Sequence, residues 1–185
     1  SDKTGTITQN RMNVKQIYAN KKIFDFTGEG YLPKGTIELK GKDVQDDKDL
    51  YKILLAAFMC NDASLYKEDD EWKISGDPTE GALIVAAKKY HIEDKIQEDY
   101  HKKDEIPFSS KRSYMATLYQ RNSESIIFVK GAPEKILKFC NLSDNQLLKD
   151  HYYQMTTRGL RVLAVASKSF KNKTSENIEL EAEAT

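Results

Sequence analysis

The sequence predicts an α/β fold of the α+β type, and three observations carry that expectation. Strand-like runs at residues 100–108, 114–119 and 125–129 follow one another across polar turns, as in a meander of antiparallel strands. Residues 46–60 and 78–90 instead carry apolar side chains at helical spacing. A length of 185 residues, with 39% hydrophobic and 31% charged side chains, suffices for one well-cored domain. Periodicity supplies the order of the elements and leaves open how the strands pair.

Taken in order, residues 12–18 and 22–26 are rich in β-branched and aromatic residues around Asn20 and predict two strands joined by a hairpin. Gly28-Glu29-Gly30 breaks the pattern, and without a third glycine and a following helix it reads as a turn rather than a dinucleotide loop. Gly35 and Gly41-Lys42 imitate a phosphate-binding loop. Five residues separate those glycines where that loop has four, and Asp43 replaces its Ser or Thr, so the reading is rejected. Residues 46–60 place Leu50, Ile53, Leu54, Ala57 and Phe58 on one helix face, with acidic residues at the start. Residues 61–72 are polar and predict an exposed connection, with Trp72 and Ile74 opening a short strand. Pro78 suits the first turn of the helix that follows. After the meander, residues 133–140 and 144–156 predict two helices. Arg158-Gly159 stops the second, and residues 160–167 predict a strand returning to the sheet. From Lys171 onward the chain is polar and acidic, the composition of a mobile tail or an interdomain linker. The expected organisation is a short piece at 1–9, a main domain at 10–170 and a tail at 171–185.

Composition excludes several classes. The 29 basic residues balance 29 acidic ones, so nothing asks for nucleic acid or an anionic membrane. The longest apolar runs, 53–60 and 82–87, fall far short of the roughly 20 residues of a spanning helix. The N-terminal residues lack a basic region followed by an apolar stretch, so no secretory signal is expected. Cys60 and Cys140 sit beside apolar residues and are expected as buried thiols without a disulfide. His91, His101 and His151 have no metal-ligand spacing.

The chemistry concentrates at Ser1-Asp2-Lys3-Thr4-Gly5-Thr6-Ile7-Thr8. A carboxylate can attack a phosphoryl group and split one hard hydrolysis into two easier steps through an acyl phosphate. Lys3 offers a point charge for developing negative charge, and Gly5 lets backbone approach phosphate oxygens. Phosphatases with an aspartyl nucleophile want a second acid two residues on. Here Thr4 occupies that place, so the phosphoenzyme should be long-lived. The run Asp-Lys-Thr-Gly-Thr-Ile-Thr resembles the phosphorylation signature of the P-type cation-transporting ATPases, with Asp2 in the place of the phosphorylated aspartate. In that family Asp2 and Thr4 would also hold Mg²⁺ in the full-length enzyme.

Four further stretches resemble the nucleotide-binding domain of the same family. Gly76-Asp77-Pro78-Thr79-Glu80-Gly81 resembles the segment whose glutamate faces adenine, which assigns that role to Glu80; a carboxylate accepts from adenine's exocyclic amine. The plain alternative is an acid favoured in a helix's first turn. Ile106-Pro107-Phe108-Ser109-Ser110-Lys111-Arg112 resembles the segment whose phenylalanine stacks on the base, which points to Phe108. The plain alternative there is core packing. Phe128-Val129-Lys130-Gly131-Ala132-Pro133-Glu134 is the strongest match, with Lys130 as the cation lining the pocket and Gly131 keeping the wall low. Gly159-Leu160-Arg161-Val162-Leu163-Ala164 resembles a strand whose arginine reaches phosphates; its alternative is a cross-strand ion pair. One departure stands out. The family commonly has a lysine five residues after the stacking phenylalanine, and here that place holds Ser113, so Arg112 is expected to reach the phosphates instead.

The resemblance implies a twisted, mainly antiparallel sheet flanked by helices, preceded at 1–9 by the first piece of the phosphorylation domain. It implies ATP as ligand, Mg²⁺ in the full-length enzyme, and phosphorylation, actuator and membrane domains of the same polypeptide as partners. The setting would be a cytoplasmic domain of an integral membrane protein, closest in motifs to calcium pumps, with no membrane contact of its own. Two other readings stay open: an autonomous ATP-binding module without catalysis, and a soluble aspartate phosphatase, against which Thr4 weighs.

Overall fold

Three two-residue turns organise the first half of the chain. Asn20-Lys21, Lys40-Gly41 and Asp69-Asp70 all have positive φ at both positions. This is the type I′ geometry whose twist matches that of the flanking strands. Each joins an antiparallel pair: β1 (Gln16–Ala19) with β2 (Lys22–Phe26), β3 (Ile37–Leu39) with β4 (Lys42–Asp43), and β5 (Ser64–Glu68) with β6 (Glu71–Ser75). The computed structural model describes residues 11–96 and 99–171. Asp2, Lys3 and Thr4, and all of the 171–185 stretch beyond Lys171, lie outside the described residues. The chain divides into two compact units, Ser1–Ile96 and Gln97–Thr185.

In the first unit β1 to β4 form one antiparallel sheet in chain order, and β5–β6 stand as a separate hairpin. Residues 61–72 are therefore not a plain connection. They hold β5 and the start of β6, in a stretch where both faces stay largely accessible. Helix α1 (Lys48–Met59) begins where Asp47 accepts hydrogen bonds from the Asp49 and Leu50 amides at 2.9 and 3.1 Å. Its buried stripe is Leu50, Leu54, Leu55, Ala56, Ala57 and Met59. Helix α2 (Pro78–Lys89) is capped in the same way by Asp77, with Pro78 at its first position, where a missing N–H costs nothing. The Tyr90 hydroxyl, just past α2, accepts from the Asp47 amide at 2.8 Å and so fixes the end of one helix to the start of the other. A short helix α3 (Ile92–Lys95) closes the unit.

The second unit is a four-stranded antiparallel sheet in the order β10-β9-β8-β7, built from β7 (His101–Ser109), β8 (Tyr114–Arg121), β9 (Glu124–Gly131) and β10 (Ala164–Lys171). One face carries Ile106, Tyr114, Ala116, Leu118, Ile127 and Val129. Ile136, Phe139 and Cys140, on and just after α4 (Pro133–Phe139), pack against it. The Tyr114 and Phe139 rings meet edge-on at 5.0 Å. Alternation puts Met115, Thr117, Phe128 and Lys130 on the other face. Helix α5 (Gln146–Thr157) has no fully buried residue.

The last strand starts later than the sequence predicts. Gly159, at φ +76°, ends α5 in a Schellman arrangement, with its amide donating to Thr156 O at 2.9 Å and the Leu160 amide to Met155 O at 3.2 Å. Leu160 is thus used by the helix cap. Residues 161–163 then find no ladder partner, because β9 ends at Gly131, opposite Ala164, before Pro133 starts α4. β10 accordingly runs to Lys171 rather than stopping at 167. Neither Cys60, which is buried, nor Cys140, which is half-buried, forms a disulfide, and burial pushes the Cys140 thiol up from its ordinary pKa.

Candidate functional site

Register gathers the second unit's predicted residues at one end of its sheet. Ser109, Tyr114, Gly131 and Ala164 lie in one row across β7, β8, β9 and β10. Phe108 immediately precedes that row, Arg112 lies in the loop that closes it, Lys130 and Gly131 end β9, and Arg161 precedes β10 by three residues. Sites widely spaced in sequence therefore share one rim.

Phe108 sits in a β-bulge. Ile106 pairs with Ala116 and Ser109 with Tyr114, so Pro107 and Phe108 together face the single residue Met115. Pro107 has no N–H for the ladder, which suits this position. The Phe108 side chain is 56% exposed, which rules out core packing as its role. The ring is therefore presented to solvent from a bulged strand.

The β7–β8 loop is internally braced. The Ser109 carbonyl accepts from the Ser113 amide at 2.7 Å, and Ser109 Oγ accepts from the Arg112 amide at 3.2 Å. Arg112 turns back over its own hairpin, where Nη2 donates to Pro107 O at 2.9 Å. Its Nε is buried and has no hydrogen-bond partner among the described residues. Arg112 is thus held close to Phe108 by the same carbonyl that precedes it. Ser113 takes a left-handed conformation at φ +62°, and its carbonyl accepts from the Ala132 amide at 2.9 Å.

Lys130 is only 4% exposed. A lysine this buried acts at lower effective dielectric than a surface one, so its charge carries further. Gly131 is glycine for a reason the sequence did not show. A Cβ there would come within 2.4 Å of Ser113 O and 2.6 Å of Tyr114 Cβ, so the close approach is to the neighbouring strand's backbone. Arg161 is exposed, and among the described residues it makes no ion pair, so the cross-strand alternative has no support.

Glu80 belongs to the first unit, in the first turn of α2. Asp77 accepts from the Glu80 amide at 3.3 Å, and Glu80 Oε2 accepts from the Asp62 amide at 3.2 Å. Asn61 and Asp62, which the sequence reading passed over, hold Glu80; the only local signal was an asparagine at a helix end. Among the described residues no group of three or more His, Cys, Asp or Glu could hold a metal, and the residues assigned to Mg²⁺, Asp2 and Thr4, lie outside them.

These features define an α+β domain whose antiparallel sheet carries an exposed aromatic ring and a set of cations at one end. Comparison identifies its family: residues 49–185 match the model of the P-type ATPase, cytoplasmic domain N, and the chain belongs to that family. It is 37% identical over 187 residues to the cation-transporting ATPase pma1 of Synechocystis sp., covering 91% of this chain and 21% of that protein. It is 37% identical over 142 residues to a calcium-transporting ATPase of Bacillus subtilis, covering 75% of this chain and 16% of that protein. It is 38% identical over 186 residues to the calcium-transporting ATPase type 2C member 1 of Bos taurus, covering 90% and 19%. The chain therefore spans about a fifth of the length of these relatives. No helix among the described residues is long and apolar enough to cross a membrane.

Proposed function

We propose that the chain is the ATP-binding domain of a cation-transporting pump, on the cytoplasmic side of an integral membrane protein, and that it delivers the γ-phosphate of ATP to Asp2. The observation that carries this reading is the shared sheet end. Phe108, Arg112, Lys130 and Arg161, far apart in sequence, belong to one rim of one sheet. Phe108 offers its face to the base, since every purine has a π-face. Glu80 accepts from the exocyclic amine of adenine, a donor that guanine presents elsewhere. Lys130 acts on the nucleotide from its buried place, and Arg161 and Arg112 offer guanidinium groups to the phosphates. Gly131 keeps β9 close enough to β8 for Lys130 to stand where it does.

With the nucleotide held, an Asp2 carboxylate oxygen attacks the γ-phosphorus as the bond to the bridging oxygen breaks and ADP leaves. Water then hydrolyses the acyl phosphate. Lys3 stabilises charge developing on the transferring group. Mg²⁺, when bound, neutralises charge on the polyphosphate. The phosphorylation, actuator and membrane domains of the same polypeptide would convert this cycle into ion movement.

Calorimetric titration of the chain with ATP, ADP and GTP tests the reading. ATP and ADP should bind weakly and alike, because stacking and base contacts supply most of the energy while the triphosphate end lacks its partner domain, and GTP should bind less well. Equal affinity for GTP would sink the assignment of Glu80.

A further inference from the structure

Asn61 stands one residue past the end of α1, after the Cys60 cap, and its side chain spans three segments of the first unit. Nδ2 donates to Ala57 O at 3.2 Å, in the last turn of α1, and to Glu80 O at 3.1 Å, in the first turn of α2. Oδ1 accepts from the Ala63 amide at 2.9 Å, closing an Asx turn over Asp62. That turn aims the Asp62 amide at Glu80 Oε2, which accepts from it at 3.2 Å. Glu80 is consequently held at both ends, its carbonyl by the Asn61 side chain and its carboxylate by the next residue's amide. The packing is close here as well: a Cβ on Gly76, one residue before the α2 cap, would lie 3.0 Å from Ala63 Cα.

Only asparagine fits this role. The place needs two N–H donors and one acceptor on a short planar group, whereas aspartate lacks the donors and serine has one. A glutamate near a helix start has three rotatable side-chain bonds and would otherwise sample many positions. Holding Oε2 settles that choice before a ligand arrives. A carboxylate oxygen that has accepted one N–H can still accept another.

We infer that Asn61 is a positioning residue for base recognition, fixing the place at which Glu80 meets the exocyclic amine of a purine. The inference rests on the reading of Glu80 given under Proposed function. A residue that merely stabilised the fold would lower the unfolding midpoint and leave base preference alone. Asn61 should move base preference in protein that remains folded.

The test titrates the 185-residue chain with ATP and with GTP, comparing the unsubstituted protein, Asn61→Ala, Asn61→Asp and Glu80→Ala, with urea unfolding measured alongside. Asn61→Asp keeps the shape and the acceptor for Ala63 and removes both donors. Both Asn61 variants should narrow the ATP-to-GTP affinity ratio about fivefold, the scale of one hydrogen bond. If Glu80→Ala narrows the ratio and the folded Asn61 variants do not, the inference is overturned while the reading of Glu80 stands. If Glu80→Ala leaves the ratio unchanged, that reading fails and takes the inference with it. A readout that needs no variant is amide exchange of Asp62. Saturation with ATP should slow it, since ligand and amide share one carboxylate, and unchanged exchange would count against the positioning role even if no Asn61 variant folds.

Discussion

Replacing Phe108 by alanine separates a binding residue from a packing residue. Complete burial of a phenylalanine is worth about 1.5–3 kcal/mol. With 56% of the side chain exposed, less than half of that is at stake, or about 1 kcal/mol of folding stability. A phenylalanine in the core would instead cost about 3–5 kcal/mol. If the ring is a stacking surface for the base, its loss should cost about 1–3 kcal/mol of nucleotide binding, roughly 5- to 150-fold in affinity. Urea unfolding and calorimetric titration on the same preparation read the two quantities separately. The expected outcome is a small shift in midpoint, a large loss of ATP affinity, and substantial recovery of affinity with Phe108→Trp. A midpoint drop worth about 3 kcal/mol or more, or ATP affinity unchanged in the folded variant, would refute the assignment.

Three further outcomes follow from local geometry. Gly131→Ala puts a methyl group 2.4 Å from Ser113 O, so β8 and β9 must part at that row, and stability should fall by about 1–3 kcal/mol in urea unfolding; an unchanged midpoint would contradict the close approach. Burial pushes the Asp47 carboxyl up, but hydrogen bonds from Lys22 and from the Leu50 and Asp49 amides outweigh it and hold the pKa below its ordinary value of 3.8. Its contribution to stability is therefore fully present above pH 3.8 and is lost as pH falls through the depressed folded value. Asp47→Ala should cost about 1 kcal/mol as a lost cap at neutral pH, whereas Asp47→Asn keeps the cap and flattens this acid limb; an acid limb as steep in the asparagine variant would show that other groups produce it. Arg112→Ala should weaken ATP and ADP while sparing AMP at fixed salt, and an equal effect on all three, or none, would mean that Arg112 only braces Pro107.

Local chemistry made much of this fold legible. The helix starts were legible from the acidic residues opening 46–60 and from Pro78, and the structure caps them with Asp47 and Asp77, each carboxylate taking two unpaired amides. The β8 and β9 runs alternate because one face meets Ile136 and Phe139, and the strands appear as expected. The β5–β6 hairpin was half legible: Trp72 and Ile74 mark β6, whereas β5 reads as a connection because neither face is deeply buried, apolar alternation is weak and the Asp69-Asp70 turn goes unread. The start of β10 was misplaced because it depends on where a distant strand ends, at Gly131, which no local pattern encodes. For the candidate site, residue types were readable from motifs, and their assembly was not. The bulge that exposes Phe108 is a property of the β7–β8 register, and the grip of Asn61 on Glu80 spans 19 positions of sequence.

The proposed function places an adenine nucleotide at the Phe108–Lys130 end of the second unit's sheet. Backbone amide resonances followed through an ATP titration, with GTP as the comparison, test it most directly. ATP should shift the resonances of Phe108, Arg112, Lys130, Gly131 and Arg161 saturably; the assignment of Glu80 separately requires its signal and that of Asp62 to respond to ATP, and less to GTP. Shifts confined to other surfaces, or no saturable change at any of these residues, would contradict it.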